Sequence, residues 1–245
     1  MDKALVDKVA TYQPDPTKLK ILHDTPVLLL VAASGTGKDS LKARLLDRYA
    51  DQYYKIITHI TRPPRSNNGV IERDGVEYHF IDLAAAERML DNHDYFEAAV
   101  YVGNIYGTSA AEIQLAHDQH KIALADVEVN GADHFASLSA TVKPVFVLPP
   151  SYEEWQRRLT GRYGDKKGDF AADLAKRMRT AKVEFERALT MAHYYLVIND
   201  DLDKAAEQVN AIAHSSGPVQ RDPQALAVLH GILERLTQEL RKTGP

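Results

Sequence analysis

The stretch "VLLLVAASGTGKDSLKARLL", residues 27–46, decides the fold. It opens with a continuous apolar run and closes with strong helix formers, with a glycine-containing turn between them. The turn approximates G-x-x-x-x-G-K-[ST], the pattern of a phosphate-binding loop. Gly37 and Lys38 stand at the second glycine and the lysine, while Ala32 replaces the first glycine and Asp39 replaces the hydroxyl residue. Glycines there let backbone N–H groups turn toward phosphate oxygens, and the following helix adds the partial positive charge of its N-terminus. The lysine neutralises β- and γ-oxygens. Ser34, Gly35, Thr36, Gly37, Lys38, Asp39 and Ser40 are therefore candidate nucleotide-binding residues. The missing hydroxyl ordinarily holds Mg²⁺, and a carboxylate is a harder oxygen donor for the same ion, which makes Asp39 a candidate metal ligand. Ser40 supplies a hydroxyl one position later, directed about 100° away around the helix.

Working outward, "IALADV" (122–127), "VFVL" (145–148) and "YYLVI" (194–198) read as further buried strands. Helical patterns cover roughly 38–50, 109–119, 130–139, 151–162, 170–192 and 202–213. This alternation predicts an α/β fold, a parallel sheet flanked by helices. Between them, 53–108 holds "YKIITHI", "VEYHFI" and "YFEAAVYV", shorter, aromatic and closer to alternating, which predicts a small β-rich insert. "RRLTGRYGDKKGDF" (157–170), basic and glycine-containing between two helices, reads as a flap. After a linker, 214–221, a last amphipathic helix starts with Asp222 as N-cap and Pro223 in its first turn. Its leucines at 226, 229, 233, 236 and 240 make a two-heptad seam, suited either to packing on its own domain or to self-association.

The bulk composition is that of an ordinary globular chain, with 245 residues, 44% hydrophobic and 26% charged. A net charge of −4 gives no reason to expect nucleic acid or an acidic membrane as partner. The absence of cysteine excludes disulfides and thiolate metal sites. No signal-peptide layout and no membrane-length apolar run are present, so a cytoplasmic location is expected. His117 and His120 lie three apart without an acidic partner pattern and read as surface residues, and Trp155 reads as a packing residue of the flap helices.

"SGTGKDSL" (34–41), "THITRPPR" (58–65), "DGVEYHF" (74–80), "FEAAVYVGNIYGTS" (96–109), "LADVEVNGA" (124–132), "RRLTGR" (157–162) and "INDDLDKA" (198–205) occur in this order. Together they resemble guanylate kinase over about residues 27–213. The resemblance implies a P-loop NTPase-type sheet with a GMP-binding insert (58–108) and a helical lid (151–188) on a core of 26–57, 109–150 and 189–213. An N-terminal extension (1–25) and the C-terminal helix (222–245) lie outside it. It implies transfer of the γ-phosphate of ATP to GMP with Mg²⁺ as cofactor, and Asp126 joins Asp39 as a candidate ligand for that ion. Only ATP and GMP are expected as partners, in a monomer or a homodimer.

The implied roles suit the chemistry of each residue. Arg62 and Arg65 are guanidinium forks matched to the GMP phosphate, with the hydroxyls of Tyr78 and Tyr106 beside them. Glu97 falls where one carboxylate accepts both guanine N1–H and the exocyclic amine, with Thr58, Thr108 and Glu128 completing the base site. Arg158, Arg162 and Arg177 match lid arginines over the ATP phosphates, and Asn199 the adenine side. Lys38, Arg62, Arg162 and Arg177 are the implied catalytic set. Three departures stand out: Asp39, a long loop from Arg65 to Tyr78, and Asn68 where a glutamate usually follows the arginines. "GKDS" also occurs in ribose 1,5-bisphosphate kinases, and damaged loops occur in non-catalytic guanylate-kinase-like interaction modules. The intact Lys38 and the purine-suited Glu97 and Thr108 weigh against both.

Overall fold

A computed structural model describes residues 1–67, 69–161 and 170–242. The chain opens with α1 (Lys3–Ala10) and α2 (Leu19–Asp24), then β1 (Val27–Val31) and α3 (Lys38–Arg48). Short strands follow: β2 (Tyr53–Lys55), β3 (His59–Ile60), β4 (Ser66–Asn67), β5 (Val70–Ile71) and β6 (His79–Phe80). Next come α4 (Leu83–Asp91), β7 (Tyr95–Tyr101), β8 (Asn104–Ser109), α5 (Ala110–Asp118), β9 (Ile122–Asp126) and α6 (Val129–Leu138). The chain continues through β10 (Val142–Leu148), α7 (Tyr152–Gly161), α8 (Phe170–Thr190), β11 (Tyr195–Ile198), α9 (Leu202–His214) and α10 (Pro223–Lys242).

The parallel sheet has the order β11-β10-β1-β9-β2. All five residues of β1 are buried, as a strand covered on both faces requires. The four apolar runs of the sequence become β1, β9, β10 and β11, and the six helical patterns become α3, α5, α6, α7, α8 and α9. The start of "YKIITHI", read as insert from its pattern but as core (26–57) from the resemblance, belongs to the parallel sheet, because β2 pairs with β9 through Tyr53↔Ile122 and Lys55↔Leu124; only His59–Ile60 joins the insert sheet.

Contacts divide the chain into two compact units. One comprises Met1–Leu28, Ala50–Ala125 and Asn130–Val142. Its four-stranded sheet, β6-β3-β8-β7, carries a β-bulge where β7 steps from Tyr95 to Glu97 against Ser109 and Thr108. The N-terminal extension is structured here. Leu5 and Val9 of α1 are buried with Ala86 and Leu90 of α4 and with Tyr95 and Ile105 of the sheet. These short helices, α1, α2 and α4, are not anticipated from the sequence, because six to nine residues give little periodicity to read.

The other unit comprises Leu29–Tyr49, Asp126–Val129 and the chain from Lys143 onward. Its core is aromatic: Phe185 packs on Phe146 and edge-on to Trp155, while Tyr194 meets Phe146 edge-on. Against α8 and α7 lies α10, burying Ala225, Leu229, Ile232, Leu233 and Leu236. Three of the five seam leucines, Leu229, Leu233 and Leu236, are thus buried within their own chain, while Leu226 and Leu240 are half-buried.

Candidate active site

Gly35 and Gly37 sit at φ 91° and 90°, the left-handed region that costs a side chain most. Gly37 is also pressed by Asn199, whose Nδ2 would stand 2.4 Å from an added Cβ. Ala32 is not among the residues at positive φ, so the first glycine of the pattern is dispensable in this loop. The turn is tied down from several directions. Asn199, buried, donates Nδ2–H to the Thr36 carbonyl at 3.0 Å, and Arg158 donates to the carbonyls of Thr36 (3.3 Å) and Asn199 (2.9 Å). Arg177 reaches the Ser34 hydroxyl at 3.5 Å. Trp155, read from the sequence as packing only, also donates its indole N–H to the Ser34 carbonyl at 2.8 Å. The Thr36 hydroxyl is buried with no hydrogen-bond partner.

At the loop's end, Lys38 donates to Asp126 at 3.3 Å, and Lys42 bonds the same carboxylate. Burial opposes charge on Asp126, but the two ammoniums prevail and hold its carboxyl far below the usual range. Asp39 and Ser40 are both exposed on the first turn of α3. Among the described residues no group of three or more His, Asp or Glu side chains is arranged to hold a metal. Glu128 is exposed, and the half-buried Glu184 on α8 is pushed up to about 7 by burial and then by Glu128, with Lys38 acting in the opposite direction. Glu184 is not singled out by the sequence. Arg162 lies outside the described residues.

In the other unit, Arg62 is buried and grips Glu72 with both terminal nitrogens, one bond measuring 2.9 Å. Glu72 accepts the backbone N–H of Arg65 as well, at 2.8 Å. The hydrogen bonds to Glu72, followed by one to Tyr106, raise the Arg62 pKa further above its ordinary value. Its guanidinium lies 5.1 Å from the ring centre of Tyr78, which meets Tyr106 edge-on at 6.3 Å. Arg62, Tyr78 and Tyr106 are thus brought together, with the Arg65 side chain exposed beside them.

Glu72 explains the long loop. Ser66↔Ile71 and Asn67↔Val70 pair as a small hairpin, which folds the surplus residues outward and returns Glu72 to the arginines. The glutamate sought at Asn68, itself outside the described residues, is supplied from four positions later. The signal was present in the sequence: Asn-Gly at 68–69 between short extended segments is a strong hairpin mark, and Gly69 has φ 82°.

Glu97 and Thr108 are direct cross-strand partners of β7 and β8, and both are buried. The Thr108 hydroxyl has no hydrogen-bond partner. A Cβ at Gly131 would lie 2.9 Å from Glu97 Oε1, so the helix α6 approaches the carboxylate as closely as only glycine permits. Thr58, half-buried, immediately precedes the β3 residue that pairs with Gly107. Behind these strands His59 and His79 face each other at 4.7 Å, and His79 contacts the buried Glu112 at 3.0 Å. Burial pushes His59 down to about 4.

A family model described as guanylate kinase matches residues 24–216. A guanylate kinase of Schizosaccharomyces pombe is 32% identical over 200 residues, covering 81% of this chain and 95% of the relative. One from Vibrio vulnificus is 34% identical over 216 residues, covering 86% and 97%. The crystal structure of guanylate kinase from Anaplasma phagocytophilum matches at a TM-score of 0.52 and 23% identity, over 77% of this chain and 84% of that one, and shows the same fold.

Proposed function

Because the chain belongs to the guanylate kinase family, we propose that it transfers the γ-phosphate of ATP to the phosphate of GMP, giving ADP and GDP. It is an ATP-dependent nucleoside monophosphate kinase. The observation that carries the choice of acceptor is the buried cross-strand pair Glu97 and Thr108, whose hydroxyl lacks a partner. A carboxylate accepts the two adjacent donors of guanine, whereas adenine presents an acceptor at N1 and leaves the charge unmatched.

No side chain acts as nucleophile, since the GMP phosphate oxygen attacks the γ-phosphorus in line as ADP leaves. The protein's work is positioning and charge stabilisation. The backbone of Ser34–Ser40 cradles the ATP phosphates, with Lys38 moving from Asp126 to the transferring group. Arg158, Arg162 and Arg177 supply further positive charge, and Asn199 and Trp155 hold the loop in shape. Arg62, Arg65, Tyr78 and Tyr106 bind the GMP phosphate, with Glu72 orienting Arg62. Glu97, Thr58, Thr108 and Glu128 read the base. Mg²⁺, when bound, offsets phosphate charge. Asp39 and Asp126 are the carboxylates that would hold it, Asp126 once Lys38 has left it.

The test is product analysis with ATP and each of GMP, dGMP, AMP, CMP, UMP and ribose 1,5-bisphosphate. GDP from GMP should dominate, with dGMP weaker. Equal turnover of AMP, or turnover of the ribose bisphosphate alone, would overturn the assignment.

A further inference from the structure

The N-terminal extension ends in a contact with the strand that carries Glu97. β7 is the edge strand of its sheet and bulges between Tyr95 and Glu97. A bulge leaves backbone groups outside the ladder, and edge strands leave one row of them without a neighbour. At Tyr95 both groups are claimed by a single side chain. The Tyr12 hydroxyl donates to the Tyr95 carbonyl at 2.6 Å and accepts the Tyr95 N–H at 3.0 Å. Tyr12 lies before residue 24, where the family match begins.

The hydroxyl is held in place by its surroundings. The Tyr12 ring stacks on His93 at 5.8 Å and meets Tyr95 edge-on at 6.3 Å. His93 Nδ1 contacts the Gln13 carbonyl at 2.8 Å. Lys18 donates to Asp94 (2.8 Å) and to the carbonyls of Asn92 and His93, while Lys8 pairs with Glu87 and Asp91. Burial raises the Tyr12 phenol to about 12, so it stays protonated and able to donate.

We propose that Tyr12 is a positioning residue for guanine recognition: its hydroxyl pins the β7 bulge and thereby fixes where Glu97 presents its carboxylate. The inference rests on the GMP reading above. Glu97 follows Tyr95 by two residues and is confined on its other side by Gly131, so a shift of the bulge moves the carboxylate relative to the base. A side chain that merely packed would affect both substrates through stability. One that sets the carboxylate acts on the guanine edge alone.

The experiment uses the full chain and Tyr12→Phe, which keeps the ring and removes the hydroxyl. The expected result is a rise of about 5–10-fold in KM for GMP, the loss of one or two neutral hydrogen bonds, with kcat and KM for ATP unchanged. The preference for GMP over IMP, which lacks the exocyclic amine, should narrow. Amide exchange at Tyr95 and Glu97 should quicken in the same variant. Lys8→Ala, which loosens the extension at its pairs with Glu87 and Asp91 on α4 rather than at the bulge, should lower Tm slightly but leave KM for GMP unchanged. An unchanged KM and an unchanged GMP/IMP ratio in Tyr12→Phe, or equal changes for ATP and GMP, would overturn the proposal. A natural chain that makes no GDP would instead overturn the kinase reading, and this inference with it.

Discussion

Lys38 is held on Asp126 by a bond of 3.3 Å, with Lys42 sharing the carboxylate, so the loop's charge is stored beside the place where phosphates are proposed to arrive. Replacing Lys38 by alanine should lower kcat at least about 100-fold with an unchanged circular dichroism spectrum, because the lost interaction is strongest in the transition state. Unchanged turnover would place the ATP site elsewhere. Asp39 poses a separate question, since it is exposed on the first turn of α3. If its charge faces the phosphates, Asp39→Ser should bind metal-free ATP more tightly by removing a like-charge repulsion, while the Mg²⁺ dependence of binding becomes shallower. Calorimetry with and without Mg²⁺ measures both, and identical metal-free affinities would show that Asp39 points away. The candidate site residues could be singled out one by one in the sequence because each has a short motif around it. Glu72 could be reached only through the Asn-Gly hairpin mark at 68–69, and Tyr12 not at all. One is displaced by a hairpin, and the other acts through a backbone contact 83 residues away in sequence.

At the scale of elements, α10 shows how a pattern can be visible while its partner is not. Leu229, Leu233 and Leu236 have coiled-coil spacing, and the structure seats them on α8 and α7. Leu236 is fully buried, and Leu236→Ala should destabilise the fold by about 2–5 kcal/mol, read as a lower urea midpoint. The mass by light scattering should be the same for the natural chain and the variant. A drop from dimer to monomer would restore the self-association reading. The insert's strands show the opposite difficulty. β3, β4, β5 and β6 are two residues each, too short for alternation to declare itself; β3 and β6 are fixed by pairing with neighbours distant in sequence, and β4 and β5 only by each other. Behind them, His59 is held neutral by burial beside His79 and Glu112, and burial also lowers His134. An unfolded histidine titrates at about 6.5 and folded His59 is pushed down to about 4, so the unfolded state takes up the proton first as pH falls. Stability is full above the unfolded value and is lost between those limits. Tm should therefore fall from pH 7 to pH 5, and less steeply in His59→Asn. Parallel curves would mean that His59 does not titrate in this range.

For the molecule as a whole, the fold class could be read from the sequence because the parallel strands are buried on both faces and appear as unbroken apolar runs between helices. The extension and its packing on α4 and β7 could not, since α1 buries only Leu5 and Val9 and gains its stability from tertiary partners. The central claim is that this molecule phosphorylates GMP and chooses it by the carboxylate of Glu97. The most direct test is kcat/KM for GMP and for AMP in the natural chain and in Glu97→Gln, which keeps shape and burial but replaces one accepting oxygen by a donor. Charged hydrogen bonds of about 1.5–3 kcal/mol predict that the variant loses roughly 100-fold or more with GMP and little with AMP, so that the preference collapses. A variant that keeps the natural preference for GMP over AMP would contradict the account.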